Sequence, residues 1–413
     1  MSRFNLRSHR AALGFILVTA MLDIVAMGIV IPVLPSLIEG FIGSNARAGA
    51  INGLFVALWA GMQFVASPII GSLSDQYGRR PVILLSCAGL SADYVLMAVA
   101  PNLWWLALGR ILAGVTSSSF TTIYAYMADV TPPEGRARAY GLVGAAFSAG
   151  FVLGPVLGGF LGGVDPRLPF WIAAAMSGVA FLYGLFVLPE SLSRENRMTF
   201  SWRRANPVGA MVLLLRHREL TGLAGVTFLL HFSHHVFSVV FVLYAGHRYG
   251  WGPMEVGLLL AAVGALDMVM QGAIVGPTVK ALGDRRTMIL GLIGGTCGIA
   301  MMGWAPTGLW FCAAMLPNTL WGLAMPTLQS LMTRRVGEDE QGQLQGATMS
   351  VASIAGVASP LFFGWVYTLT AGEDAAPWRS GISFLIAAGV LTVAAVIAVI
   401  VARRETAEPP VGT

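Results

Sequence analysis

From Thr287 to Thr333 the chain carries no charged side chain. A helix crosses the hydrocarbon core of a bilayer with about 20 residues. This segment is therefore too long for one crossing and must double back, and "WAPTGLW" at 304–310 supplies the turn. The same pattern recurs along the chain. Apolar stretches predict twelve spans, at 11–38, 48–72, 81–100, 103–127, 139–163, 168–188, 220–246, 254–279, 287–304, 308–333, 342–369 and 379–402. "APNLWW" at 100–105 is the turn between spans three and four. Of the 413 residues, 56% are hydrophobic and 11% charged, where a soluble domain carries about 25% charged residues. The expected fold class is an all-α membrane protein with twelve transmembrane helices. The run after Arg10 continues through Asp23 with no small-residue cleavage site, so it reads as a retained first span rather than a leader.

Twenty of the 25 Lys and Arg residues fall in the tails, the even-numbered connections and the central loop. Four, Arg47, Arg167, Arg248 and Arg379, fall in odd-numbered connections, and Arg110 lies inside a span. Cytoplasmic loops hold such an excess, so both termini and the central loop are expected in the cytoplasm. The net charge of +5 then reflects topology, and nucleic acid is not an expected partner. Cys87, Cys297 and Cys312 are scattered in apolar segments without CxxC spacing, which gives neither a disulfide framework nor a zinc site.

The chain also repeats itself. "GSLSDQYGRRPVILLS" from Gly71 aligns with "GPTVKALGDRRTMILG" from Gly276, pairing Gly71, Gly78 and Arg80 with Gly276, Gly283 and Arg285. The same register pairs Gly141 with Gly346 and Pro155 with Pro360. Two six-helix halves are expected, at 1–188 and 219–413, joined by a polar cytoplasmic linker at 189–218. Repeats with a site near the midplane are a transporter architecture.

A charge near the bilayer centre costs about 2.5–3.5 kcal/mol on insertion scales, so such residues face a bundle interior or a wet cavity. At 1.5 Å per residue, Asp23 and Asp93 lie about 18 Å deep in spans one and three. Arg110 lies about 10 Å into span four from the opposite side, and Asp267 about 20 Å into span eight. All four fall in one layer, with Gln63 and Gln271 nearby, which points to a central polar cavity. For Arg110 the alternative is snorkelling to the headgroups. For the acids it is a helix-to-helix hydrogen bond. In span seven, "LLHFSHHVF" brings His231, His234 and His235 to one region of a helix. No further metal ligand accompanies them, so pore-lining or proton-relay roles are expected, with Asp267 and one histidine as a coupling pair.

These features resemble the major facilitator superfamily, in particular its twelve-helix drug:proton antiporters. "GSLSDQYGRRP" at 71–81 is similar to the loop 2–3 signature, "GRILAG" at 109–114 to the span-four arginine motif and "GFVLGPVLGG" at 150–159 to the span-five antiporter motif. In the last, Gly150 and Gly154 allow close helix approach and Pro155 bends the span. "LDIVAMGIVIPVLP" at 22–35, "RPVILLSCAGLSADYVLMA" at 80–98 and "EQGQLQG" at 340–346 resemble the tetracycline-resistance efflux branch. The resemblance implies that Asp23 and Asp93 handle protons and substrate, with Gln63 and Gln271 along the path. It also implies that Asp75, Arg79, Arg80 and Asp129 serve a cytoplasmic gate. Two departures stand out. Asp267 occupies the place of a span-eight histidine, and Gly294-Gly295 replaces a span-nine carboxylate.

The expected function is proton-coupled export of a small amphipathic drug, possibly as a tetracycline–metal chelate, by a monomer in the bacterial cytoplasmic membrane. No cofactor and no resident metal are expected. The span-five motif argues against an uptake symporter. The chain has no HExxH, GxSxG or GxxxxGK[ST] motif for an embedded enzyme. A non-transporting sensor would be recognised by failure to translocate anything.

Overall fold

The computed structural model describes residues 6–117, 120–131, 136–200, 214, 218–337, 340–372 and 375–405. Of the expected linker, residues 201–213 and 215–217 lie outside the described residues. Every regular element among the described residues is a helix. Lipid offers no partner for backbone N–H and C=O groups, and a helix satisfies them internally. Large apolar side chains such as Trp104, Phe186 and Leu309 stay exposed, as a hydrocarbon solvent permits.

Among the described residues, each of the twelve expected spans falls largely on helix. Among the described residues, nine helical stretches are long and apolar enough to cross a membrane. One of them, Pro253–Trp304, has 52 residues. At 1.5 Å per residue that is about 78 Å of helix, enough for two crossings of a core about 30 Å thick. It divides at Gly283, whose φ of 77° breaks the helix between spans eight and nine. Span one is two helices, Leu6–Val30 and Leu34–Ile42, separated where Pro32 and Pro35 withhold backbone donors. The two expected turns are capped as their residues dictate. Asn102 accepts from the Trp104 N–H and Thr307 from the Trp310 N–H, which satisfies orphan donors at the helix starts.

The chain forms two compact units. The first comprises Met1–Phe41, Leu58–Asn206 and Gly252–Gly264. Its core includes Ile16, Ala20, Ile83, Cys87, Tyr126, Met127 and Ala180. Within it, span five lies directly on span one. A Cβ on Gly154 would stand 2.7 Å from the Gly28 Cα, and one on Gly150 would stand 2.8 Å from Ile24. Glycine at these positions lets the two backbones touch. The second unit comprises Ile42–Ala57, Pro207–Trp251 and Ala265–Thr413. It is aromatic inside. Phe241 stacks on Phe311 at 5.5 Å, and Tyr244 meets Phe384 edge-on at 5.1 Å. Its polar anchors include Asn52 Nδ2, which donates to the Val239 carbonyl at 2.8 Å, and the Tyr367 hydroxyl, which donates to Asn45 at 2.7 Å.

Candidate functional site

In the first unit, Asp23 is 3% exposed and Asp93 fully buried. The Cys87 thiol donates to Asp23 Oδ2 at 4.0 Å, while Oδ1 has no hydrogen-bond partner among the described residues. Asp93 lies 3.6 Å from the Arg110 guanidinium, close enough for ion pairing, and neither carboxylate oxygen accepts a hydrogen bond from the described residues. Arg110 also donates to the Met97 sulfur at 3.1 Å. It therefore turns into the unit instead of snorkelling outward. Gly109 makes room for this arrangement, since a Cβ there would stand 2.6 Å from Asp93 Oδ1. The "GR" of the span-four motif thus combines a cation with the gap that admits its carboxylate. The span-five glycines reach the same place, because Gly150 packs on Ile24, the residue after Asp23. Gln63 is half-buried in the same unit.

The second unit arranges its polar groups differently. Asp267 and Gln271 lie one helical turn apart in span eight and both are exposed. A π-turn over Met270–Ile274 follows Asp267, and such turns often accompany functional sites. Gln271 Nε2 donates to the Gly322 carbonyl of span ten at 3.1 Å. The neighbouring Trp321 is buried, and its indole N–H has no partner among the described residues. His234 packs edge-on against Trp321 at 5.5 Å and lies near Phe237 at 6.1 Å. Gly295 leaves the space for that indole, since a Cβ there would come within 2.9 Å of the Trp321 ring. His231 and His235 are half-buried beside them. Among the described residues no hydrogen bond or ion pair joins Asp267 to any of the three histidines. The same residues hold no group of three or more His, Cys, Asp or Glu side chains fit to hold a metal ion. Span ten, not a direct contact, links span eight to span seven here. Trp321 was not marked by the sequence reading. A lone Trp in an apolar run looks like any lipid-facing aromatic, and only the Gly-Gly gap on span nine hinted at a neighbour that fills it.

The loop 2–3 residues form a third cluster. Arg79 pairs with Asp75 and lies 3.2 Å from Asp129. It also donates to Ser74 at 2.9 Å. Ser191 donates to Asp129 at 2.9 Å, and Arg80 donates to the Leu185 carbonyl at 2.7 Å. Gly78 turns the chain with φ 108°, a conformation that suits glycine. The next helix starts at Arg79, and Glu190 accepts the Arg79 and Arg80 backbone N–H groups at 2.9 and 3.3 Å. Glu190 does the work of an N-cap from more than a hundred residues away. It too was missed in sequence, because a carboxylate just after an apolar span looks like an ordinary helix exit.

The family model for the Major Facilitator Superfamily matches residues 16–360 and 223–413. The chain belongs to this superfamily. This facilitator is 36% identical over 382 residues to "Tetracycline resistance protein, class C" of Escherichia coli, covering 92% of the chain and 95% of the relative. It is also 36% identical over 351 residues to "Tetracycline resistance protein, class G" of Vibrio anguillarum, covering 85% and 89%. Among solved structures, an inward-facing, unoccupied bacterial homologue of the human lysosomal transporter Spinster superposes with a TM-score of 0.80 at 15% identity. That match covers 97% of this chain and 98% of the other. At such identity it speaks for the fold alone.

Proposed function

We propose that this facilitator is a proton-coupled exporter of small amphipathic drugs, tetracyclines foremost, working by alternating access in a bacterial cytoplasmic membrane. The observation that carries the reading is the pair of carboxylates sealed inside the first unit. Asp23 is buried with one oxygen unpartnered among the described residues, and Asp93 is buried with Arg110 as a charged neighbour. A structural acid in lipid is normally satisfied by hydrogen bonds. Carboxylates left without them are suited to take up and release a proton. The identity to tetracycline resistance proteins over most of the chain supplies the substrate class.

In this reading Asp23 is the proton-exchanging group, and Arg110 sets the charge state of Asp93. Asp267 and Gln271, with His231, His234 and His235 behind them, serve the second half, and Gln63 lines the substrate path. Asp75, Arg79, Arg80 and Asp129 work as a cytoplasmic gate, and the chain is built of two six-helix halves, 1–188 and 219–413. The span-five face of Gly150, Gly154 and Pro155 gives span one the close support a moving helix needs. Both termini face the cytoplasm, and one copy suffices. The test is a drug-susceptibility panel in a pump-deficient bacterial host. Expression should raise resistance to tetracyclines more than to unrelated drugs. Unchanged susceptibility across the panel, with the protein present in the membrane, would overturn the reading.

A further inference from the structure

Arg248 lies in the last turn of the helix Arg218–Tyr249, at the end of span seven. It is one of the four basic residues in odd-numbered connections, where the charge bias disfavours a cation. Arg167, another of the four, is spent on backbone. Its Nη1 and Nη2 donate to the Ala98 and Ala100 carbonyls at 3.0 and 2.9 Å. Arg248 is used less completely. Its Nε donates to the Ala305 carbonyl at 2.9 Å, but its Nη1 is buried and has no acceptor among the described residues. Among the same residues it pairs with no carboxylate. The helix dipole welcomes a cation in a last turn, yet it does not occupy the donors.

Arg248 lines a cleft of about 600 Å³ with Tyr249, Trp251, Thr307, Leu309 and Cys312. All of these belong to the second unit. Gly250, at φ 68°, turns the chain out of span seven, and Trp251 comes to rest on the start of span ten. Gly308 makes that possible, since a Cβ there would stand 2.6 Å from the indole. Tyr249 lies 5.4 Å from Trp251, and its hydroxyl donates to the Ala305 carbonyl at 3.0 Å. One wall is the first turn of the helix Gly308–Thr319, which carries no acidic residue. The leading N–H groups of a helix have no intrahelical acceptor. A guanidinium with an unused donor, beside such a turn and without a carboxylate, is a place for an oxyanion.

The rim says which oxyanion. Leu309 is 80% exposed, and Trp304 and Trp310, on either side of the same turn, are 72% and 57% exposed. Exposed Trp at the ends of spans marks the headgroup level of a bilayer. The cleft therefore opens where phospholipid phosphates lie, with apolar surface next to it for the chains below. A soluble anion gains nothing from that surface.

We infer that this cleft binds the phosphate of an anionic phospholipid, with Arg248 as its charged ligand and Trp251 and Leu309 against the glycerol and first acyl carbons. The inference needs the membrane placement of the chain, but neither the drug nor the proton of the export reading.

The test uses Cys312, half-buried in the cleft wall, as reporter. Cys297 is exposed and Cys87 buried, so full-length Cys297→Ser protein in neutral detergent presents one accessible thiol. Its labelling by a polar maleimide is timed with added dioleoylphosphatidylglycerol, dioleoylphosphatidylcholine or inorganic phosphate. Phosphatidylglycerol should slow labelling about fivefold or more, while phosphatidylcholine, whose choline neutralises its phosphate, should slow it less than about twofold. Inorganic phosphate should not slow it. Arg248→Gln should raise the phosphatidylglycerol needed about tenfold, the worth of one lost charge-assisted hydrogen bond. Leu309→Glu changes an exposed residue and keeps the test open should Arg248→Gln not fold. It sets a negative charge at the mouth and should remove the protection while melting at the parental temperature. Equal protection by the two lipids would mean mere coverage by the micelle and would overturn the inference. Protection by inorganic phosphate would make the site one for a soluble anion and would overturn it too, as would protection by phosphatidylglycerol that survives either substitution in folded protein.

Discussion

The mid-span polar groups of the two units make opposite bargains with their surroundings. In the first unit, Asp23 and Asp93 are buried, Arg110 is turned inward, and glycines at 109, 150 and 154 have been spent on making room. In the second, Asp267, Gln271 and His234 are open, and the buried partner is an indole, not an ion. A buried charge depends on its partner for several kcal/mol, whereas an exposed one does not. The difference teaches that identical-looking residues in a hydropathy trace serve under different constraints. The first unit's buried charges depend on one another, whereas the second unit's exposed groups do not. Asp267 and Gly294-Gly295 both fall in the second unit, where Gly294 and Gly295 are buried and leave no room for a Cβ beside Leu320 and Trp321.

The largest expected effect breaks the first arrangement. Arg110→Ala leaves Asp93 buried without a counter-charge and should cost about 3–5 kcal/mol. It should appear as a clear drop in melting temperature in detergent and as poor membrane yield. Asp93→Asn/Arg110→Gln should recover much of that stability while remaining inactive in export. A double variant as unstable as Arg110→Ala would show that the arginine's packing on Met97, not its charge, matters.

Next in size is Gly154→Val. Its added carbons meet the Gly28 backbone, and overpacking of this kind costs about 1–3 kcal/mol. The helices must separate next to Asp23, so export should fall together with melting temperature. The comparison substitution Gly144→Val, at a position with open space around it, should change neither.

The smallest effect on stability is expected in the second unit. Asp267→Asn should shift melting by no more than an ordinary exposed substitution, about 0.5 kcal/mol or less. It should nevertheless flatten the pH dependence of export, and His234→Gln should give part of the same change. Since no hydrogen bond or ion pair among the described residues joins Asp267 to His234, their double variant should come close to additive. Strong non-additivity would reveal coupling through Gln271, Gly322 and Trp321.

How far the sequence carries the account is visible in these same residues. The spans were legible because hydropathy and helix length are fixed by the bilayer. The turns at Asn102 and Thr307 were legible because capping chemistry is local. The rise per residue gives an expected depth for Asp23, Asp93, Arg110 and Asp267. Depth does not give azimuth, however, so the reading could place Asp267 and the histidines at one level without knowing which faces they share. It expected a direct pair where the structure inserts span ten. Glu190 and Trp321 act on residues distant in sequence, and no local pattern marks them.

The central claim is that Asp23 couples protons to drug export, and one measurement addresses it most directly. Parent and Asp23→Asn protein are placed in vesicles with an imposed pH gradient, and uphill tetracycline movement is followed with the opposing proton flux. The amide is nearly isosteric and carries no titrating proton, so the variant should stay folded and bind drug, yet show neither uphill movement nor proton flux. Uphill export by Asp23→Asn at the parental rate would contradict the account.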